Sequence, residues 1–109
     1  MVRKAIGLAD DQIIAILDRK YSRYPQNYQD GNRTKSIFCQ SIEMCKAGIL
    51  EAKAITYLES KFRPTGYVAA KLHNEVHSAY LKNELVFGCE RGNYKSYQNY
   101  IASKTRCNP

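Results

Sequence analysis

The sequence predicts an all-α fold, one compact domain of about five helices with short connections. Three observations lead there. Apolar residues recur at intervals of three and four, the spacing that lines one face of a helix. Proline and glycine fall between those stretches, where helices stop. No run of β-branched residues alternates with polar ones at period two, as a half-buried strand requires. A chain of 109 residues buries roughly two thirds of its unfolded surface, enough for one core without staples.

Each element has a local reason. Asp10 and Asp11 precede Gln12 as an N-cap and first-turn acids, favourable at the positive end of a helix dipole. Ile14, Leu17, Tyr21 and Tyr24 follow as one stripe, and Pro25 ends the first helix. Residues 25–33 read as a loop, with turn chemistry at Asp30-Gly31. A second helix is expected from Thr34 to Ala47, with Phe38, Ile42 and Cys45 inward. Lys46 and Gly48 are its stop signals. A third runs from Leu50 to Phe62 with Ala54, Leu58 and Phe62 inward, and Pro64 disfavours helical geometry at Arg63. The fourth and longest is expected over Gly66–Phe87, with Ala69, Leu72, Val76, Ala79 and Tyr80 on its inner face. Gly88 and Gly92 bracket a connection, and Asn93 caps a final helix over Tyr94–Ser103. Residues 1–8 and 104–109 are expected to be disordered.

Composition narrows the class. The 44% apolar and 25% charged fractions are those of an ordinary globular protein. No apolar run approaches the ~18 residues that span a bilayer. Met1-Val2-Arg3-Lys4 is basic, but Asp10 and Asp11 arrive too early for a secretory leader. A cytoplasmic protein with no membrane partner is expected. Four cysteines without a Cys-x-x-Cys pair or dense spacing predict buried reduced thiols rather than a disulfide framework.

Charge is unevenly placed. The chain is net +7, yet residues 49–90 carry five basic and five acidic groups. Residues 91–109 carry four basic groups and no acid. In residues 19–35, Arg19, Lys20, Arg23, Arg33 and Lys35 face one acid, Asp30, with Tyr21, Tyr24 and Tyr28 interleaved. Arg91, Lys95, Lys104 and Arg106 repeat the pattern among Tyr94, Tyr97 and Tyr100. Basic groups neutralise phosphates and release counterions, and aromatic faces stack on unpaired bases. Tyr28 and Tyr100 are the tyrosines expected to be exposed for stacking. Biased codon usage in an AT-rich genome enriches tyrosine and lysine without any binding role.

Other chemistry fits less well. His73 and His77 lie four apart on one helix, so both can face one ion. Glu75 is one residue too late for a zinc-peptidase arrangement, being rotated ~100°, and no third ligand is evident. No Gly-x-Ser-x-Gly and no phosphate-cradling glycine loop is present. Two helix-turn-helix placements are available. One turns at Gly48-Ile49 and presents Glu51, Lys53, Thr56, Tyr57 and Ser60. The other turns at Arg63-Gly66 and presents Tyr67, Lys71, His73, Asn74 and His77. Both lie in the electrically neutral middle.

The resulting expectation is a nucleic-acid-binding protein without enzymatic activity, cofactor or metal. Its contacts would be Arg19, Lys20, Arg23, Tyr28, Arg33, Lys35, Arg91, Lys95, Tyr100, Lys104 and Arg106, with loop and tail converging on one surface. The competing expectation is a small interaction module for an acidic protein partner, or for a second copy of the chain, using an apolar patch around Tyr67, Tyr80, Leu81 and Leu85.

Overall fold

The computed structural model describes residues 8–94. They form four α-helices, α1 Asp10–Ser22, α2 Arg33–Lys46, α3 Glu51–Phe62 and α4 Ala69–Lys82. Short 3-10 turns sit at Pro25–Tyr28, Arg63–Thr65, Glu84–Val86 and Arg91–Asn93. No strand occurs among the described residues.

The contacts set the directions. Arg33 and Thr34 at the start of α2 meet Thr65 and Tyr67, just ahead of α4. At its end, the Cys45 thiol donates to the Asn83 carbonyl, just after α4. So α2 and α4 run parallel. Glu51 meets His77 and Glu59 meets His73, so α3 runs antiparallel to α4. α1 lies alongside α3, tied by Lys53 to Asp10 and Asp11 and by Lys61 to Asp18. The core takes Ile13, Ile16 and Leu17 from α1, Ile37, Met44 and Cys45 from α2, Ala54, Leu58 and Phe62 from α3, and Leu72, Val76 and Tyr80 from α4.

The α2–α3 turn explains why the link is so tight. Gly48 N–H donates to the Cys45 carbonyl and Ile49 N–H to the Met44 carbonyl, closing α2 in a Schellman motif. That motif needs a left-handed residue, and Gly48 has φ +79°.

Several local expectations are corrected. The N-cap of α1 is Ala9, not Asp10. The Gln12 side chain accepts from the Ala9 N–H at 2.9 Å, which leaves the Asp10 carboxylate for ion pairs. The α1 stripe is rotated: Ile13, Ile16 and Leu17 are buried, Ile14 is half-buried, and Tyr24 is 51% exposed. The inner face of α2 is Ser36, Ile37, Gln40, Ser41, Met44 and Cys45, with Phe38 and Ile42 only half-buried. Helix α4 is shorter than expected, because Asn83 caps its end before the 3-10 turn at Glu84–Val86. Leu8 packs against the core rather than leading a loose end. The helix expected over residues 94–103 lies outside the described residues beyond Tyr94, which is itself buried. Among the described cysteines only Cys45 is buried, and Cys39 and Cys89 are exposed free thiols.

Candidate functional site

The basic residues of the 19–35 segment meet different fates. Lys20 is ion-paired with Glu43 at 2.7 Å. Arg33 pairs with Asp30 and donates to the Thr65 carbonyl at 2.8 Å, which ties the start of α2 to the α3–α4 connection. Its guanidinium also lies 5.1 Å from the Tyr67 ring centre. Arg19, Arg23 and Lys35 are exposed. Tyr28 is not the free aromatic expected of a stacking platform. Its ring packs 4.9 Å from that of Phe62, with the Lys61 ammonium 5.7 Å from its centre. Its hydroxyl is buried with no partner among the described residues.

Arg91 is committed to the fold. Its guanidinium donates to the carbonyls of Leu8, Ala47 and Gly48 at 3.0, 3.2 and 3.3 Å and pairs with Asp10 at 2.7 Å. Arg33 and Arg91 therefore stand at opposite ends of α2, whose 14 residues rise about 20 Å. The single surface expected of loop and tail does not form between these two arginines. Lys95, Tyr100, Lys104 and Arg106 lie outside the described residues.

Six of the ten acids of the helical body, Asp10, Asp11, Asp18, Asp30, Glu43 and Glu59, are bridged to lysine or arginine. Lys20, Arg33, Lys53, Lys61, Arg63 and Arg91 are all bridged to carboxylates. Burial pushes the Asp18 carboxyl up, but bonds from Tyr57 and Lys61 and the Lys61 charge outweigh it and hold the carboxyl below the usual range. The described residues hold twelve basic and all ten acidic groups of the chain, and residues 1–7 and 95–109 hold the other five basic groups.

Some side chains of both helix-turn-helix faces are engaged within the fold, while Thr56, Ser60, Lys71 and Asn74 stay exposed. Lys53 is bridged to α1, and Tyr57 donates to Asp18 at 2.7 Å, so that face of α3 is turned toward α1. On α4, His73 and His77 sit against Glu59 and Glu51, each histidine on a different carboxylate. No group of three potential metal ligands gathers among the described residues. The apolar patch named from the sequence is only partly open. Tyr80 is buried and Tyr67 half-buried, whereas Leu81 is 58% and Leu85 97% exposed.

One site was not anticipated. A cavity of about 300 Å³ opens between the loop and the first turns of α2, lined by Tyr21, Gln26, Asn27, Asn32, Lys35, Ser36 and Cys39. The amides that build it also hold the loop. Asn27 Nδ2 donates to the Tyr21 carbonyl at 3.0 Å and Asn32 Nδ2 to the Gln26 carbonyl at 3.1 Å. The run of carboxamides at Gln26, Asn27, Gln29 and Asn32 was the available signal. In a sequence, such residues read simply as turn formers. Comparison with protein-family models, with curated proteins and with solved structures finds no match to this chain.

Proposed function

We propose that this protein binds nucleic acid through basic segments carried on a nearly neutral helical body. The separation of charge carries the reading. The body nets +2 with most of its acids bridged, while residues 1–7 and 95–109 supply Arg3, Lys4, Lys95, Lys104 and Arg106 and no acid. A polyanion rewards segments with an excess of cations over acids, because each phosphate neutralised releases counterions. Cations already bridged to carboxylates contribute less.

The points where the two segments join the body support the same reading. The Leu8 carbonyl lies 3.0 Å from the Arg91 guanidinium, and Arg91 is three residues before Tyr94. Leu8 and the Arg91–Asn93 turn, the first and last described parts of the chain, thus lie at the same end of the body. Arg23 and Lys35, exposed near the opposite end, make a second and smaller contact region.

The test is a salt-dependent titration against labelled single-stranded DNA, duplex DNA and RNA. Each phosphate contact on a single strand adds about −0.7 to the slope of log affinity against log salt. Replacing Lys95, Lys104 and Arg106 together with Gln is expected to flatten that slope by about 2. Absence of binding at ~50 mM salt, or a slope unchanged by the replacements, counts against the proposal.

A second reading has one observation in its favour. Leu85 is 97% exposed, and Leu81 and Phe87, near it in the sequence, are exposed too. Apolar side chains grouped in this way suit a protein partner. Loss of a pull-down partner on Leu85→Asp, with nucleic-acid affinity unchanged, would favour that reading.

A further inference from the structure

We propose that the cavity between the Pro25–Asn32 loop and α2 seats one amino-bearing nucleobase of a single strand, adenine, cytosine or guanine, with the adjoining phosphate on Lys35. This rests on the nucleic-acid reading and names its substrate class.

The lining is chemically specific. A backbone carbonyl can only accept, so the bonds from Asn27 to the Tyr21 carbonyl and from Asn32 to the Gln26 carbonyl fix which end of each carboxamide is nitrogen. Each amide is thereby left with Oδ1 as an acceptor that no bond engages among the described residues. Ser36 Oγ accepts from Gln40 Nε2 at 3.0 Å, which leaves the hydroxyl proton to donate. Tyr21 contributes to the lining, and its ring, 5.1 Å from the Lys20 ammonium, is pinned through its hydroxyl to Glu43. Lys35 lies exposed on the lining and supplies the cation.

Two fixed acceptors select for donors. The exocyclic amines of adenine, cytosine and guanine each carry two N–H bonds, whereas thymine and uracil lack such an amine. Thymine and uracil present a carbonyl there, and oxygen against oxygen is repulsive. At about 300 Å³ the space is at the lower limit for small-molecule pockets (~300–1,000 Å³), which suits one base rather than a stack. A tyrosine in the lining offers an aromatic surface to the base, and the polar groups of the lining give the choice of base.

The experiment measures affinity of the full chain for oligo-dC, oligo-dA and oligo-dT of about 20 nucleotides at ~50 mM salt. Oligo-dC against oligo-dT is the cleaner arm, because both are pyrimidine strands. Oligo-dC and oligo-dA are expected to bind about tenfold tighter than oligo-dT. Cys39→Trp, at an exposed position on the lining, fills the cavity and should bring oligo-dC down to the oligo-dT value. Circular dichroism checks its fold. If that variant does not fold, Asn32→Ala, which removes one of the two acceptors, replaces it and should narrow the preference. Equal binding of all three strands overturns the inference and leaves the nucleic-acid reading standing. Binding to none overturns both. Saturable binding of adenosine monophosphate without any preference among strands overturns the strand as the source and points to a free nucleotide.

Discussion

The Arg91 guanidinium lies 2.7 Å from the Asp10 carboxylate, so the last described turn of the chain is bridged to the first turn of α1. The same side chain reaches three backbone carbonyls, at Leu8, Ala47 and Gly48. One residue therefore joins α1, the α2–α3 turn and the C-terminal segment.

Arg91→Ala is expected to lower unfolding free energy by about 2–3 kcal/mol, since it leaves several carbonyls without their donor and Asp10 with only the longer Lys53 contact at 3.8 Å. Arg91→Lys should recover only part, because an ammonium cannot span the same fork of acceptors. Urea denaturation measures both. An Arg91→Ala midpoint equal to that of the parent would show the clamp to be dispensable.

Gly48 and Gly31 both hold positive φ, but their surroundings differ. A Cβ on Gly48 would sit 3.3 Å from the Gly88 Cα, while one on Gly31 meets nothing within 4 Å. Gly31→Ala should cost about 1 kcal/mol of backbone strain alone. Gly48→Ala should cost more, about 2–3 kcal/mol, by adding backbone overlap to that strain. Thermal melts of the two variants side by side give the order, and equal losses would contradict it.

Tyr57 and Tyr80 are expected to weaken the fold at high pH. Burial raises the Tyr57 hydroxyl pKa well above its usual value, with the bond to Asp18 adding to it. Burial does the same for Tyr80, whose hydroxyl donates to the Ile49 carbonyl at 2.6 Å. A raised folded pKa means the native state keeps protons that the unfolded chain releases. Their stabilisation is complete below about pH 10, where free tyrosine titrates, and is lost as pH rises above it. Absorbance at the tyrosinate band should show these two titrating only together with unfolding. Stability unchanged well above that pH would exclude the effect.

Asp18 gives the opposite limb. Its folded pKa is depressed, so its contribution is present above the unfolded value of about 3.8 and fades as pH falls through the lower folded value. Asp18→Asn should flatten the acid side of the stability curve in urea denaturation across pH, and should also soften the alkaline side, because Asp18 helps to raise the Tyr57 pKa. An unchanged acid side would exclude the effect.

Gln40 is fully buried, and its Oε1 has no partner among the described residues. Gln40→Leu should therefore change stability by less than about 1.5 kcal/mol, because it removes an unsatisfied acceptor along with one bond. Leu58→Ala in the same core should cost about 2–5 kcal/mol. Comparable losses for the two would mean that Oε1 does find a partner.

Much of the fold was legible because helix boundaries are local. Pro25, Gly48 and Pro64 each act on the residues beside them, and α2 and α3 begin and end within one residue of expectation. Ala54, Leu58 and Phe62 formed the stripe read on α3, and all three are buried. On α1 the paired apolar residues Ile13-Ile14 and Ile16-Leu17 allow two neighbouring stripes. Lys53, Tyr57 and Lys61 of α3 engage Asp10, Asp11 and Asp18 and so settle how α1 is turned. On α2, Ser36, Gln40 and Ser41 are buried, which polarity alone argued against.

By itself the sequence determined that the chain is helical, where three of its helices stop, and that its excess positive charge lies toward its ends. These follow from backbone sterics and from composition, which do not depend on distant residues. Tertiary structure alone decided which cations stay open to a ligand. Lys20, Arg33 and Arg91 look like Arg23 and Lys35 in the sequence, but packing brings Lys20 and Arg91 to distant carboxylates and Arg33, already beside Asp30, to the Thr65 carbonyl. An ion pair such as Arg91 with Asp10 spans most of the chain, so only the folded arrangement brings the two charges into contact.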